Sequence, residues 1–206
     1  MRRSISIFGS TGSIGCNTVD LILRQGGADA YDTKVVTGFS NIEKLAEQAV
    51  VLNADMAITA DVNKTGELED ALCGTGIKTA AGDLALHDAA GIKVEWAMSA
   101  IVGSAGLAPT LEMAKNARVL ALANKESLVC AGELVIAACE ESGCKLLPVD
   151  SEHSAIYQSL SGDDPKNLNR LIITASGGPF IDWTTKQMEG ATLAQAMAHP
   201  NWDMGQ

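Results

Sequence analysis

Six short stretches of the chain combine residue types that can do chemistry. The first is Gly9-Ser10-Thr11-Gly12-Ser13-Ile14-Gly15. It follows a short apolar run, Ser4–Phe8, and opens an amphipathic stretch that reaches about Arg24. Glycines between a strand and a helix permit a tight turn and let backbone approach a pyrophosphate. The phosphates then face the free N–H groups and the positive dipole end of the helix. The glycines are spaced three and three, not two and three as in the standard dinucleotide fingerprint, and a plain turn with a Ser or Thr cap is the alternative. After the second apolar run comes Thr37-Gly38-Phe39-Ser40-Asn41, which holds no acid. NAD-binding units place Asp or Glu there for the ribose 2′-hydroxyl, so its absence favours a 2′-phosphate and hence NADP. Asp29 and Asp32 precede that run and are assigned to a loop.

Four further stretches lie later in the chain. Asn124-Lys125-Glu126-Ser127 follows the apolar run Val119–Ala123, at the strand end where open α/β sheets bind ligands. Ser127 capping the next helix, with Lys125 and Glu126 solvated, explains it equally well. In Pro148-Val149-Asp150-Ser151-Glu152-His153, a continuing strand would project Asp150 and Glu152 to one face. Two carboxylates at a strand end suit a hard divalent cation, Mg²⁺ or Mn²⁺; an ordinary exposed edge is the alternative. His153 would point the other way, in a surface or capping role. Ser176-Gly177-Gly178-Pro179-Phe180 offers turn N–H groups to a phosphate. Finally, His199-Pro200-Asn201-Trp202 puts a Trp on a Pro-flanked loop, where it can act as an apolar lid.

These stretches need a scaffold, and the hydropathy pattern supplies one. Apolar runs at Ser4–Phe8, Lys34–Thr37, Met56–Thr59, Ile77–Ala80, Val94–Met98, Val119–Ala121 and Lys145–Val149 read as strands. Helical patterns lie between them, among them Ile42–Leu52, Asn63–Cys73, Leu84–Ala89, Leu107–Asn116 and Ser127–Ser142. This alternation predicts an α/β fold, a Rossmann-like doubly wound parallel sheet with helices on both faces. The rhythm changes after Val149. Leu171–Thr174 reads as one more strand, and Ile181–Gln206 as polar helix and loop. Residues 1–149 are expected to form a dinucleotide-binding domain, and 150–206 the start of an α+β catalytic domain.

The composition bounds the partners. The 206 residues are 47% apolar and carry 15 Lys and Arg against 25 Asp and Glu, a net charge of −10. An acidic chain with only 4% aromatic residues is a poor nucleic-acid binder. Five cysteines, Cys16, Cys73, Cys130, Cys139 and Cys144, show no metal or redox spacing and read as free thiols in a reducing cytosol. No signal-peptide core precedes the glycine loop, and the uncharged stretch Trp96–Leu111 is too short and too broken to span a membrane. The expectation is a soluble, cytoplasmic protein with no nucleic-acid or membrane partner.

Taken in order, GSTGSIG, LANKESLV, LLPVDSEH, SGGPF and HPNWDMG resemble the 1-deoxy-D-xylulose 5-phosphate reductoisomerase family along the whole chain. The resemblance implies an oxidoreductase and isomerase of the non-mevalonate isoprenoid route. It would rearrange 1-deoxy-D-xylulose 5-phosphate, a small phosphorylated sugar, and reduce it to 2-C-methyl-D-erythritol 4-phosphate, using NADPH and Mg²⁺ or Mn²⁺. Thr11, Gly12, Ser13 and Ile14 would hold the NADPH pyrophosphate region. Gly38, Ser40 and Asn41 would lie near the 2′-phosphate, although some members carry Lys where Ser40 stands. Asn124, Glu126 and Gly205 would touch NADPH. Asp150 and Glu152 would ligate the metal, and Lys125, Ser151, Glu152, Ser176, His199 and Trp202 would bind substrate. Lys125, Glu152 and His199 are the expected catalytic residues.

Family members continue past HPNWDMG with another metal-binding Glu, further substrate contacts and a helical domain. The resemblance therefore implies the N-terminal part of a longer, homodimeric enzyme. Its alternative for the chain itself is a catalytically incompetent NADP-binding fragment. A semialdehyde or homoserine-type dehydrogenase would share the sheet but leave PVDSEH unexplained.

Overall fold

The structure, a computed structural model, describes residues 2–162, 164–173 and 178–198. Strand β1 (Arg3–Phe8) leads through the glycine loop into α1 (Ser13–Arg24). A short α2 (Gly27–Ala30), β2 (Tyr31–Gly38), α3 (Ile42–Val51) and β3 (Met56–Thr59) follow. Next come α4 (Thr65–Ala71), β4 (Lys78–Ala81), α5 (Gly82–Ala90) and β5 (Trp96–Ser99). Then α6 (Leu107–Asn116), β6 (Val119–Leu122), α7 (Lys125–Ser142), β7 (Lys145–Pro148) and α8 (Ser151–Ser159) complete the alternation.

Among the described residues the strands form one sheet of order β4-β3-β2-β1-β5-β6-β7, and every pairing is parallel. The doubly wound α/β expectation holds. In β1, Ile5 to Phe8 are all buried, a continuous run that marks a strand covered on both faces. Alternate side chains feed two cores. Ile5, Ile7 and Val36 pack with Val19 and Ile22 of α1 and Leu45 of α3. Phe8, Val35 and Ile58 pack with Leu86 of α5, Met113 of α6 and Val135 of α7 on the opposite face. Each fully buried Leu, Ile or Phe contributes roughly 1.5–3 kcal/mol, so the sheet centre is the rigid part of the molecule.

Several boundaries differ from the sequence reading. Strand β2 starts at Tyr31, so Asp32 lies within it and not in a loop. Its carboxylate pairs with Lys34 at 2.9 Å, and Lys34 also pairs with Asp55 at 2.9 Å. These ion pairs let polar residues occupy the strand's N-terminal end. Strand β7 stops at Pro148, and Asp150 caps α8, its side chain accepting from the His153 N–H. A helix that can be capped displaces the strand continuation. Helix α7 breaks at Ala131 (φ −150°, ψ 37°) into two segments. It ends at Gly143 (φ 73°), where Cys144 N–H donates to the Cys139 carbonyl at 2.9 Å. That is the Schellman arrangement, which takes a residue free to adopt positive φ, and its apolar contact is between the buried Cys139 and Cys144. Leu171–Ile173 have no regular structure, and Thr174 lies outside the described residues.

The chain divides into two compact units, residues 1–161 and 162–206. In the second unit α9 (Thr185–Met188) and α10 (Leu193–Met197) each open on a capping box, Thr184 with Gln187 and Thr192 with Gln195. The rings of Phe180 and Trp183 meet edge to face at 4.9 Å. Among the described residues no helix is long and apolar enough to cross a membrane.

Candidate functional site

Strand order reverses between β1 and β5, because the chain winds from β1 toward β2 on one side and places β5 on the other. The crevice beyond the C-terminal ends of these two strands is where doubly wound sheets take ligands. The glycine loop sits there, and its three glycines serve different ends. Gly9 has φ 85°, and a Cβ on it would lie 2.5 Å from the Ala100 carbonyl oxygen. A Cβ on Gly15 would lie 2.1 Å from the Gly9 carbonyl oxygen. Both are demanded by the fold. A Cβ on Gly12 would meet nothing closer than 3.5 Å. Gly12 is exposed at the N-cap of α1, which has no side-chain cap and no acid in its first turn. By contrast α3, α7 and α8 are capped by Asn41, Asn124 and Asp150. Packing does not require Gly12; a glycine at this position suits an N-cap and leaves the helix terminus open to a ligand.

The loop is bolted to β2. Gly9 N–H donates to Thr37 Oγ1 at 2.9 Å, and Ser10 donates its N–H and hydroxyl to the Thr37 carbonyl at 2.7 and 3.1 Å. Gln48 of α3 donates to the Ser10 carbonyl at 3.0 Å. The sequence pattern gives Thr37 no role of its own and carries no local signal for Gln48. In front of the loop lies a cleft of about 420 Å³, bounded by Thr11 and Gly12, by Gly38 and Phe39, and by Ala100 to Val102. Ser13, Ile14, Ser40 and Asn41 are exposed nearby in sequence. Asn41 spends its Oδ1 on the N–H of Lys44 at 3.1 Å, so its Nδ2 is the group left to donate outward. Asp83 of α5 also lines the cleft, an acid that the sequence reading did not place there.

The ends of β6 and β7 carry the second group of candidates. Lys125 is exposed and Glu126 half-buried at the start of α7. Asp150 caps α8, and Ser151 and Glu152 are exposed at its first two positions. Asp150 and Glu152 are thus neighbours at a helix start and not on one face of a strand. The His153 ring Nδ1 lies 2.8 Å from both Asp150 oxygens. Partial burial pushes the Asp150 carboxyl up. The His153 N–H, the His153 ring and the charge of Lys125 outweigh this and hold it below the usual carboxylate range. Two hard oxygen donors fit Mg²⁺ or Mn²⁺ as part of a ligand set. Among the described residues no group of three His, Cys, Asp or Glu could hold a metal by itself. Ser176, His199, Trp202 and Gly205 lie outside the described residues.

A parallel sheet reversing at β1 and β5, with a glycine loop and an open helix terminus at the reversal, defines a doubly wound α/β protein of the Rossmann-like class. The chain matches 1-deoxy-D-xylulose 5-phosphate reductoisomerase over residues 5–132 and the C-terminal domain described for that enzyme over residues 146–206. It belongs to the 1-deoxy-D-xylulose 5-phosphate reductoisomerase family. The reductoisomerase of Cereibacter sphaeroides is 54% identical over 204 residues, 99% of this chain and 52% of that protein. That of Rhizobium rhizogenes is 53% identical, over 99% of this chain and 51% of that protein. Among solved structures, the Zymomonas mobilis reductoisomerase in complex with NADPH superposes with a TM-score of 0.92 at 44% identity, covering 97% of this chain and 52% of that one. A reductoisomerase in complex with NADPH, fosmidomycin and magnesium superposes with a TM-score of 0.83 at 37% identity, covering 99% and 52%. The chain spans about half the length of the curated relatives it matches.

Proposed function

We propose that this chain supplies the NADPH site and part of the metal and substrate site of a reductoisomerase. The reaction is the rearrangement and reduction of 1-deoxy-D-xylulose 5-phosphate to 2-C-methyl-D-erythritol 4-phosphate. The observation that carries the reading is Gly12 at the open start of α1, a glycine whose side-chain position faces open space and not packed neighbours. Bound NADPH supplies hydride, and bound Mg²⁺ or Mn²⁺ stabilises negative charge on substrate oxygens. The chain's own residues bind and orient. Thr11, Gly12, Ser13 and Ile14 receive the pyrophosphate at the α1 terminus. Gly38, Ser40 and Asn41 meet the adenosine 2′-phosphate, which an acid at the end of β2 would repel. Glu126 and Gly205 complete the cofactor contacts. Asp150, kept ionised by His153 and Lys125, and Glu152 hold the metal. Lys125, Ser151, Ser176 and His199 bind the phosphorylated sugar, and Trp202 covers it. A cytoplasmic homodimer, independent of nucleic acid and membrane, belongs to the same reading. The net charge of −10 speaks against a nucleic-acid partner and the five free thiols suit a reducing compartment, while the homodimer follows from the family alone.

A second reading, an NADPH-binding unit without turnover, is favoured by the absence of a three-ligand group among the described residues. One titration series separates the readings. NADPH should quench the tryptophan fluorescence of the chain saturably, and NADH should do so more weakly. Lack of saturable binding would overturn the cofactor site. NADPH oxidation on adding 1-deoxy-D-xylulose 5-phosphate and Mn²⁺ would decide for turnover, and its absence for the binding unit.

A further inference from the structure

We propose that Asn124 is a positioning residue. Its side-chain amide, which the family resemblance places against NADPH, is spent on clamping the loop after β5 into the wall of the nicotinamide half of the cleft. The inference rests on the NADPH reading and concerns one half of that site.

Asn124 is 2% exposed. Its Nδ2 donates to the Ile101 carbonyl at 2.6 Å and to the Gly103 carbonyl at 2.8 Å. Its Oδ1 accepts from the Ser127 N–H at 2.9 Å and from the Ser127 hydroxyl. An amide side chain has two donor hydrogens and two acceptor lone pairs, and here all four are used inside the protein. None is left for a ligand. The two carbonyls that converge on Nδ2 belong to a loop whose residues Ile101 and Val102 line the cleft. Val102 is 84% exposed, so packing does not hold the loop at its tip.

The surroundings are built to admit this amide. A Cβ on Gly106 would lie 2.8 Å from Asn124 Nδ2 and 2.8 Å from the Ile101 carbonyl oxygen. The Gly106 carbonyl accepts from Thr110 Oγ1 at 2.6 Å, and Thr110 Oγ1 meets Ser99 Oγ at 2.7 Å. The Ser99 carbonyl accepts from the Ala123 and Asn124 N–H groups at 2.9 and 3.1 Å. Ser99, Thr110, Asn124 and Ser127 are each at most 2% exposed. A buried polar network is costly unless every member is satisfied, and once satisfied it fixes a single geometry. This one joins the end of β5, the start of α6 and the start of α7. In a doubly wound sheet that half faces the nicotinamide mononucleotide, whereas the adenosine half lies toward β2. The clamp therefore acts on one half of the cofactor only.

Asn124→Asp separates the clamp from the helix cap. Aspartate keeps the oxygen that caps α7 but replaces both donor hydrogens with an acceptor facing two carbonyls. If Asn124 served only as a cap, aspartate would restore wild-type behaviour, since it is an equally good N-cap. The measurements are Kd for NADPH, Kd for adenosine 2′,5′-bisphosphate, and amide hydrogen exchange of residues 101–105 without ligand. The expected result for Asn124→Asp is an NADPH Kd raised about tenfold or more, as for loss of a buried hydrogen-bonded pair. Affinity for the bisphosphate should stay at the wild-type value, and exchange in the loop should be faster. Gly106→Ala, which pushes on the amide from the other side, should give the same split and keeps the test valid if the Asp variant does not fold. Unchanged NADPH affinity, equal loss of both probes, or unchanged loop exchange would each overturn the proposal. If the wild-type chain does not bind NADPH although the loop amides loosen in the variants, the cofactor reading falls and the clamp stands.

Discussion

At the scale of single residues, the glycine loop shows how one repeated residue type answers to two different demands. Gly15 is required by contact with the Gly9 carbonyl and Ser10 Cα, so Gly15→Ala should destabilise the fold by about 1–3 kcal/mol or more through overpacking. Gly12 meets nothing closer than ordinary contact at φ −75° and ψ 174°, a conformation open to alanine. Gly12→Ala should therefore cost at most about 1 kcal/mol, the difference between glycine and alanine at an N-cap, while NADPH affinity falls at least tenfold. Urea unfolding of the two variants beside NADPH titration checks this. Equal effects of both substitutions on stability would refute the division of roles. The distinction between these glycines is not legible in the sequence. Spacing presents Gly9, Gly12 and Gly15 as equivalents, and only the contact that a Cβ would make tells them apart.

At the scale of elements, α6 carries a charge arrangement with a definite pH signature. Glu112 accepts from Lys115 Nζ at 3.0 Å and from Asn116 Nδ2 at 3.0 Å. The Lys115 hydrogen bond, working against partial burial and aided by the Lys115 charge and the Asn116 amide, holds the Glu112 carboxyl below its usual range. A depressed carboxyl favours the folded state when ionised. Its contribution is complete above the ordinary glutamate range, about pH 4.3, and is lost as pH falls through the depressed value. Glu112→Gln should lower unfolding free energy by about 0.5 kcal/mol near pH 7 and leave it unchanged near pH 2, read by denaturant titration at both. A difference that persists in acid would exclude the ionic origin. The order of elements was readable because each central strand is a short apolar run bounded by turn residues. The start of β2 was not, because Asp32 looks like a loop residue until its ion pair with Lys34 is seen. Asp150 before Ser-Glu-His was a readable cap signal that the alternation argument outweighed. Thr37 and Asp83 reach the cleft only through tertiary packing, which no local pattern encodes.

At the scale of the whole molecule, the two buried apolar clusters are drawn entirely from residues 5–144, within the first compact unit. None of the described residues of the second unit is buried. Cooperative stability is therefore expected to reside in the sheet and its helices. The Schellman turn after α7 has a consequence for how that stability can be timed. Its apolar contact is made by two thiols. The hydrogen bond to Cys144, with burial, pushes the Cys139 thiol up and away from the reactive thiolate. Cys73 and Cys130 are exposed, and Cys16 is intermediate. The chain thus contains its own clock for global opening. In native buffer a thiol-labelling reagent should modify Cys73 and Cys130 within the mixing time. Cys139 and Cys144 should react only at the rate at which the sheet opens, and together, since one opening releases both. Peptide mass spectrometry across a labelling time course reads this directly, and labelling of Cys139 as fast as Cys130 would contradict it. Because the slow pair is buried within the first unit, NADPH that stabilises that unit should slow this clock without touching the fast pair.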